Sequence, residues 1–314
     1  GLGGDILVAA ELLRLAPARW RAVRDWLDSI LPVIAPSVGH DVGLDVVSGA
    51  AGLAIALARC RHLDLATRAA SSLAAARGAV RAHILSRATH DPDGACWITP
   101  VEKAALLGYA HGWAGFAAAL LVGTEDDPKA IAQSKATLDA SLRHLAADAR
   151  RQGGLVEHRS GFGAGQPLNA SWCNGGPGFL RGYCARGLPE EPSLAGFART
   201  EWRRMLAGLG TAEAQRFCCG DMGAIDAALD LTLAAGRTDE AAVLRRTGAA
   251  VVSRFVAKVG GPVENVTPEA GFPGLFQNIA GVLYTGCRFL DPSLLSLSGQ
   301  AIGDVDPARL LGDA

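Results

Sequence analysis

The sequence predicts an all-α fold in which six inner helices are ringed by outer helices, the architecture called an α/α toroid. Two patterns lead to this prediction: a Gly-x-x-Gly step followed by a short apolar helix recurs along the chain, and longer charged segments alternate with these helices. Composition agrees, because only 6% of the residues are aromatic and alanine is abundant, which suits closely packed helices better than sheets.

The glycine step marks where each inner helix begins. It occurs six times, with asparagine in the first position of the last copy, at Gly1/Gly4, Gly49/Gly52, Gly112/Gly115, Gly175/Gly178, Gly220/Gly223 and Asn278/Gly281. The runs that follow are almost wholly apolar, and a helix that is apolar all round is buried. Glycine at the start lets neighbouring backbones approach closely. We therefore predict one toroid domain over residues 1–296 and a C-terminal tail over 297–314.

The segments between the inner helices are amphipathic and charged, as expected of surface helices. They cover residues 17–31, 64–89, 127–151, 193–209 and 237–258. These are five outer helices for six inner ones, so we expect the first outer helix to be absent from this chain and the protein to extend N-terminally. Connections 86–108, 152–174 and 259–276 are long, and all three lead into inner-helix starts at one mouth of the toroid.

Charge and cysteine content narrow the function classes. The net charge of −1 gives no field that would attract nucleic acid or an anionic membrane, and no apolar run is long enough to span a bilayer. Seven cysteines are an odd number in a chain of 314 residues, which is too large to need disulfides. We predict a cytoplasmic protein without nucleic-acid or membrane partners.

Thiols stand directly before two of the inner-helix starts. Cys173 lies two residues before Gly175, and Cys218 and Cys219 lie immediately before Gly220. Thiolates are ligands that Zn²⁺ prefers, and three protein ligands with an open fourth position are typical of a catalytic zinc site. The sequence therefore predicts that these three cysteines converge on one zinc ion at the mouth.

Two further polar residues precede inner-helix starts, and we expect them at the same mouth. His111 lies directly before Gly112, and Asp45 lies four residues before Gly49. Histidine titrates near neutrality, so His111 is a candidate for proton transfer, with Asp45 as its partner. Asp45 has a second interpretation as a cap of the second inner helix.

Three motifs carry a family resemblance: Ser171-Trp-Cys-Asn-Gly175, Cys218-Cys-Gly220 and Gly108-Tyr-Ala-His-Gly112. On a sixfold glycine repeat they resemble the lanthionine synthetase C-like cyclases, most of all the C-terminal cyclase domain of class II lanthipeptide synthetases. The resemblance covers nearly the whole chain. It implies an α/α toroid with catalytic zinc, an activity that forms thioethers, a dehydrated precursor peptide as substrate, and an N-terminal dehydratase domain in the same polypeptide.

The resemblance also implies roles for single residues. The family's zinc cysteines fall on Cys173 and Cys218, its catalytic histidine on His111 and its active-site aspartate on Asp45. One departure is Cys219, which stands where the usual ligand is histidine, as in a three-cysteine branch of class II enzymes. The other is Asn169, which replaces an arginine of some members, so we assign no arginine role there.

Two other functions remain open at this stage. A relative of this family can hold zinc and a thiol without cyclising a peptide. Toroids of this kind also serve glycosidases, which need two carboxylates beside a sugar cleft, and Glu157 and Asp221 are candidates for such a pair. The glycosidase interpretation leaves the three cysteines unexplained, and a zinc measurement separates it from the cyclase.

Overall fold

The computed structural model describes residues 2–41, 43–100, 103–122, 128–157, 166–211, 215–259 and 279–311. The inner helices are α1 (Leu2–Leu15), α3 (Ala50–Cys60), α5 (Trp113–Leu121), α7 (Gly176–Tyr183), α9 (Asp221–Ala234) and α11 (Ile279–Leu290). The outer helices are α2 (Arg21–Ser37), α4 (Thr67–Ser86), α6 (Pro128–Gln152), α8 (Pro192–Gly208) and α10 (Thr238–Val259). A last short helix, α12, spans Ala308–Leu311.

The inner helices follow one another around a ring. Each contacts the next, from α1 through α3, α5, α7 and α9 to α11, and the outer helices pack against them from outside. Every residue of α5 and of α7 is buried, as expected for helices that are apolar all round. The prediction of an all-α toroid is confirmed. The start of the sixth repeat at Asn278 and residues 260–276 of the preceding connection lie outside the described residues.

In the second to fifth repeats the second glycine is required by close packing of backbones, whereas a Cβ atom at Gly4 of the first repeat would meet nothing within 4 Å. A Cβ atom at Gly52 would lie 1.9 Å from the carbonyl oxygen of Val46, in the turn that leads into the same helix. At Gly178 a Cβ would lie 1.9 Å from the Trp172 carbonyl oxygen and 2.8 Å from the amide nitrogen of Tyr109 in the neighbouring repeat. A side chain at either position would push apart the turns on which the mouth is built.

Helix α1 is less buried than the other inner helices. Ile6, Ala10 and Leu13 face the core, but Val8 is 46% exposed and Leu15 is 54% exposed. Helix α11 at the other end of the series is also only partly buried, with Leu283 45% exposed and Leu290 76% exposed, whereas α5 and α7 between them are wholly buried. The apolar pattern alone predicted full burial, and α1 and α11 depart from that expectation because burial also depends on the elements that pack against a helix.

The last segment packs into the helical body. We expected a tail over residues 297–314, but Val305 and Leu310 are buried and α12 contacts α8. The amide of Arg186, just after α7, donates to the Asp304 carbonyl at 2.8 Å, and Ala185 forms a bridge with Val305. Residues 297–311 therefore contribute to the core of the ring, while 312–314 lie outside the described residues.

Deep inside the ring lies a group that we call the closed cluster: Arg181 of α7, Asp226 and Asp230 of α9, and Arg288 of α11. Each guanidinium group pairs with both carboxylates. All four residues are at most 1% exposed. The Ser296 hydroxyl donates to Asp226 at 2.5 Å, so the C-terminal segment is joined to the same cluster.

Two small antiparallel hairpins lie in the long connections. Strand β1 (Thr89–Asp91) pairs with β2 (Gly94–Cys96), and β3 (Val156–Glu157) pairs with β4 (Gln166–Pro167). The sequence did not predict these strands. None of the helices in the described part of the chain is both long enough and apolar enough to cross a bilayer.

Candidate metal centre and proton-transfer pair

Four turns that lead into inner helices form a continuous rim at one mouth of the toroid. We call them the helix-start turns, and they comprise residues 46–49, 109–112, 172–175 and 217–220. Backbone hydrogen bonds join each turn to the next: Val46 N to Ala110 O at 3.0 Å, Ala110 N to Cys173 O at 2.9 Å, and Cys173 N to Cys218 O at 3.1 Å. The rim therefore brings together residues that are far apart in the sequence.

The rim is supported from below by aromatic rings. Tyr109, Trp172 and Phe217 occupy the first position of three consecutive helix-start turns, and all three are buried. Their ring centroids are 5.3 Å apart between Tyr109 and Trp172, and 5.1 Å apart between Trp172 and Phe217. Tilted aromatic pairs at such distances pack favourably, so the stack holds neighbouring turns at a fixed spacing.

The three predicted zinc ligands converge, and we call them the open cluster. The Sγ atom of Cys219 lies 3.5 Å from that of Cys173 and 3.3 Å from that of Cys218, and all three sulfurs lie within 4.8 Å of one another. Two sulfurs each 2.3 Å from a tetrahedral zinc would be about 3.8 Å apart. Both the spacing and the donor chemistry therefore fit zinc.

Burial differs within the open cluster. Cys173 is 6% exposed and Cys218 is 8% exposed, whereas Cys219 is exposed at the mouth. The thiols of Cys218 and Cys219 donate hydrogen bonds to the Cys173 sulfur, and these bonds hold the pKa of Cys173 well below its usual range. In turn, the hydrogen bond to Cys173 raises the pKa of Cys218 and of Cys219. The three thiols are therefore coupled, and negative charge is favoured at Cys173.

His111 and Asp45 form a hydrogen-bonded pair across two neighbouring repeats. Nδ1 of His111 lies 2.8 Å from Oδ2 of Asp45, which is 1% exposed, while the imidazole is 27% exposed. Oδ1 of Asp45 accepts from the Ser48 amide at 2.7 Å and from the Ser48 hydroxyl at 2.9 Å. Because a carboxylate accepts hydrogen bonds, Nδ1 carries the hydrogen, and Nε2 is then the ring nitrogen with the lone pair.

Sequence reasoning missed the serines beside the site. Ser48 fixes Asp45, and the Ser171 hydroxyl lies 3.4 Å from the Cys173 sulfur. An available signal was their place in the repeat: Ser48 stands directly before a glycine, as His111 and Cys219 do. The interpretation of Asp45 as a helix cap is wrong: α3 begins at Ala50 without a side-chain cap, and the Asp45 carboxylate instead accepts from Ser48 and binds His111. The carboxylate that accepts from the Ala50 amide, at 2.9 Å, is that of Asp41.

The two carboxylates considered as a glycosidase pair bind loop backbone instead. Glu157 is 4% exposed, and its Oε2 accepts from the Leu107 amide at 3.1 Å. Asp221 is 3% exposed and accepts from the Gly210 amide at 3.1 Å. Both carboxylates hold loop backbone in buried positions, whereas a glycosidase needs a pair that faces an open cleft.

Fold and site together define an α/α toroid with a cluster of three thiols and a His–Asp pair at one mouth. The family model described as lanthionine synthetase C-like protein matches residues 15–299, and the chain belongs to this family. Among solved structures, a nisin cyclase is similar at a TM-score of 0.45 and 14% sequence identity, over 93% of this chain and 88% of that one. The search of curated proteins found no match.

Proposed function

We propose that the protein is a zinc-dependent peptide cyclase that forms lanthionine and methyllanthionine rings. The thiol of a substrate cysteine adds to the β-carbon of a dehydroalanine or dehydrobutyrine in the same peptide. The observation that carries the proposal is that two groups meet on one rim. One is the cluster of three thiols, which suits a metal, and the other is the hydrogen-bonded pair of His111 and the buried Asp45 carboxylate. Membership in the lanthionine synthetase C-like family supports the same chemistry.

Cys173, Cys218 and Cys219 would hold the zinc, and the exposed side of Cys219 leaves room for a fourth ligand from the substrate. When bound there, the metal supplies a Lewis acid that lowers the pKa of the substrate thiol. The protein's own contribution is to place three sulfurs at the ends of adjacent inner helices, where the positive end of each helix dipole favours thiolates.

His111 is the residue that we assign to proton transfer. With Nδ1 bound to Asp45, its Nε2 can take the proton of the substrate thiol and later deliver a proton to the α-carbon. Asp45 is assigned to hold the ring in one tautomer and to stabilise the imidazolium that forms. General acid–base catalysis of this kind contributes about 10²- to 10⁴-fold in rate.

The substrate class that fits this site is a dehydrated precursor peptide. We also propose that an N-terminal dehydratase domain of the same polypeptide prepares that substrate, as the resemblance to class II synthetases implies. The described cysteines carry free thiols, which suits a reducing cytoplasm.

The proposal is tested by measuring zinc per chain and ring closure on one dehydrated peptide, with unreacted thiols counted by alkylation and mass spectrometry. We expect one zinc per chain and loss of alkylatable thiol. Stoichiometric zinc without ring closure on dehydrated peptides would favour the zinc- and thiol-binding protein. Absence of zinc would contradict the metal centre itself.

A further inference from the structure

The helix-start turns share a four-residue pattern whose third position holds a polar residue. The turns read Val46-Val47-Ser48-Gly49, Tyr109-Ala110-His111-Gly112, Trp172-Cys173-Asn174-Gly175 and Phe217-Cys218-Cys219-Gly220. Each closes on a glycine with nearly the same extended backbone, with φ from −145° to −122°. The third position is therefore structurally equivalent in all four turns.

Three of these four residues already have an assigned part in the site. Ser48 fixes Asp45, His111 carries the imidazole, and Cys219 supplies a sulfur. Asn174 occupies the same position in the turn that lies between those of His111 and Cys219. Its place on the rim is thus between the assigned proton carrier and the assigned metal ligands.

The backbone of Asn174 is held tightly on both sides. A Cβ atom at Gly108, three residues before His111, would lie 2.2 Å from the Asn174 Cα, so the two turns touch directly. The Asn174 amide donates to the Ser171 hydroxyl at 3.3 Å, and that hydroxyl lies 3.4 Å from the Cys173 sulfur. Asn174 is 9% exposed, so its carboxamide is largely shielded from bulk water.

Charge at the mouth makes a neutral donor useful. The addition places negative charge on the carbonyl oxygen of the dehydroamino acid, while Asp45 and the cysteine sulfurs already make the surroundings negative. We propose that Asn174 is a further catalytic residue of the proposed cyclase, whose carboxamide N–H donates to this oxygen as the carbon–sulfur bond forms. This inference rests on the proposed function. It adds stabilisation of the negatively charged oxygen to the metal binding and proton transfer already assigned to the rim.

The step balances in atoms and electrons. The thiol proton passes to Nε2 of His111, the sulfur electron pair forms the bond to the β-carbon, and the double-bond electrons move onto the carbonyl oxygen as an enolate. His111 then returns its proton to the α-carbon, so no proton is gained or lost and nothing is oxidised. Asn174 keeps its hydrogens throughout, because an amide N–H donates without transferring its proton.

Removing one donor to a developing oxyanion costs about 10²- to 10³-fold in rate. We therefore expect Asn174→Ala to slow single-turnover ring closure by that factor, with zinc content unchanged and the Kd of the dehydrated peptide within about threefold. Asn174→Asp has the same size but no N–H, and it should be at least as slow. Asn174→His restores a donor and should recover part of the rate. Gln166→Ala is the matched control, because it removes a side-chain amide from the exposed strand β4, and its rate of ring closure should equal that of wild type.

A rate for Asn174→Ala within threefold of wild type would overturn the inference while leaving the cyclase proposal intact, as would a loss that follows zinc content or peptide affinity alone. If Asn174→Ala fails to fold, Asn174→Asp decides by the same criteria, since it keeps the volume. Absence of ring closure by zinc-loaded wild-type protein would instead refute the proposed function, and this inference with it.

Discussion

Inner helix α9 carries a polar cluster at each of two depths. At its start, Cys218 and Cys219 join Cys173 in the open cluster, where the Cys219 side chain is exposed at the mouth. About 8 Å further along the helix, Asp226 begins the closed cluster, whose two guanidinium groups and two carboxylates satisfy one another.

The clusters differ in how much of their hydrogen-bonding capacity remains unused. In the closed cluster the charges sum to zero, and serine, glutamine and backbone groups fill further hydrogen bonds: Ser296 donates to Asp226, Arg181 donates to Gln300 at 2.9 Å, and Arg288 donates to the Leu294 carbonyl at 2.8 Å. The open cluster keeps acceptor capacity directed at solvent. Buried charge that is fully paired specifies how helices meet, whereas polar groups left partly open are suited to chemistry.

The largest effect that we expect is on zinc binding. Cys173→Ala removes the most buried thiol of the open cluster, and we expect zinc to fall from one per chain to below about 0.1, with the affinity reduced at least about 10³-fold. The free energy of unfolding of the metal-free protein should change little. Metal analysis after dialysis measures this, with Cys287→Ser, an exposed thiol on α11, as the control that keeps zinc. Retained stoichiometric zinc would show that the open cluster is not the metal site.

In the closed cluster, by contrast, we expect a substitution to lower the stability of the fold. Asp226→Ala leaves two buried guanidinium groups short of a partner, and breaking a buried pair costs about 3–5 kcal/mol in the free energy of unfolding. Denaturant titration measures this, and Asp139→Ala is the control, because its pair with Arg143 is exposed and should be worth at most about 0.5 kcal/mol. Equal effects in the two variants would remove the distinction between open and closed clusters.

His111→Ala tests whether the rim separates metal binding from proton transfer. We expect zinc to remain bound, because the three sulfurs are unchanged, and ring closure to slow by about 10²- to 10⁴-fold. Single-turnover assays on one dehydrated peptide at matched zinc content measure the effect. If zinc is lost together with activity, His111 is a ligand and its assignment to proton transfer is wrong.

The smallest effect that we expect is the number of protons released when zinc binds. Because the pKa of Cys173 is lowered and those of Cys218 and Cys219 are raised, we expect the metal-free cluster at pH 7 to hold protons on two of its three sulfurs. Zinc binding should therefore release about two protons, and its affinity should fall as the pH is lowered. Calorimetry in buffers of different ionisation enthalpy counts them. A release of three would mean that the hydrogen bonds do not hold a thiolate at Cys173.

Sequence alone was sufficient for features set by local pattern. The Gly-x-x-Gly step and the apolar run after it predicted the starts of the inner helices, because close backbone approach and uniform burial leave a direct mark on residue type. The positions of Cys173, Cys218 and His111 relative to those starts then predicted which side chains share a mouth. Among the outer helices, α2 was predicted least accurately. The predicted segment ended at residue 31, but the helix continues through Pro32 to Ser37.

Tertiary structure alone decided features that depend on residues distant in the chain. Arg181, Asp226 and Arg288 look like interruptions of apolar helices in the sequence, and only their meeting inside the ring explains them. The burial of residues 297–311 has no periodic signal, because an irregular segment can be buried wherever neighbours satisfy its backbone. The bond between Asp45 and His111 likewise requires the ring to place two repeats side by side, which local pattern cannot encode.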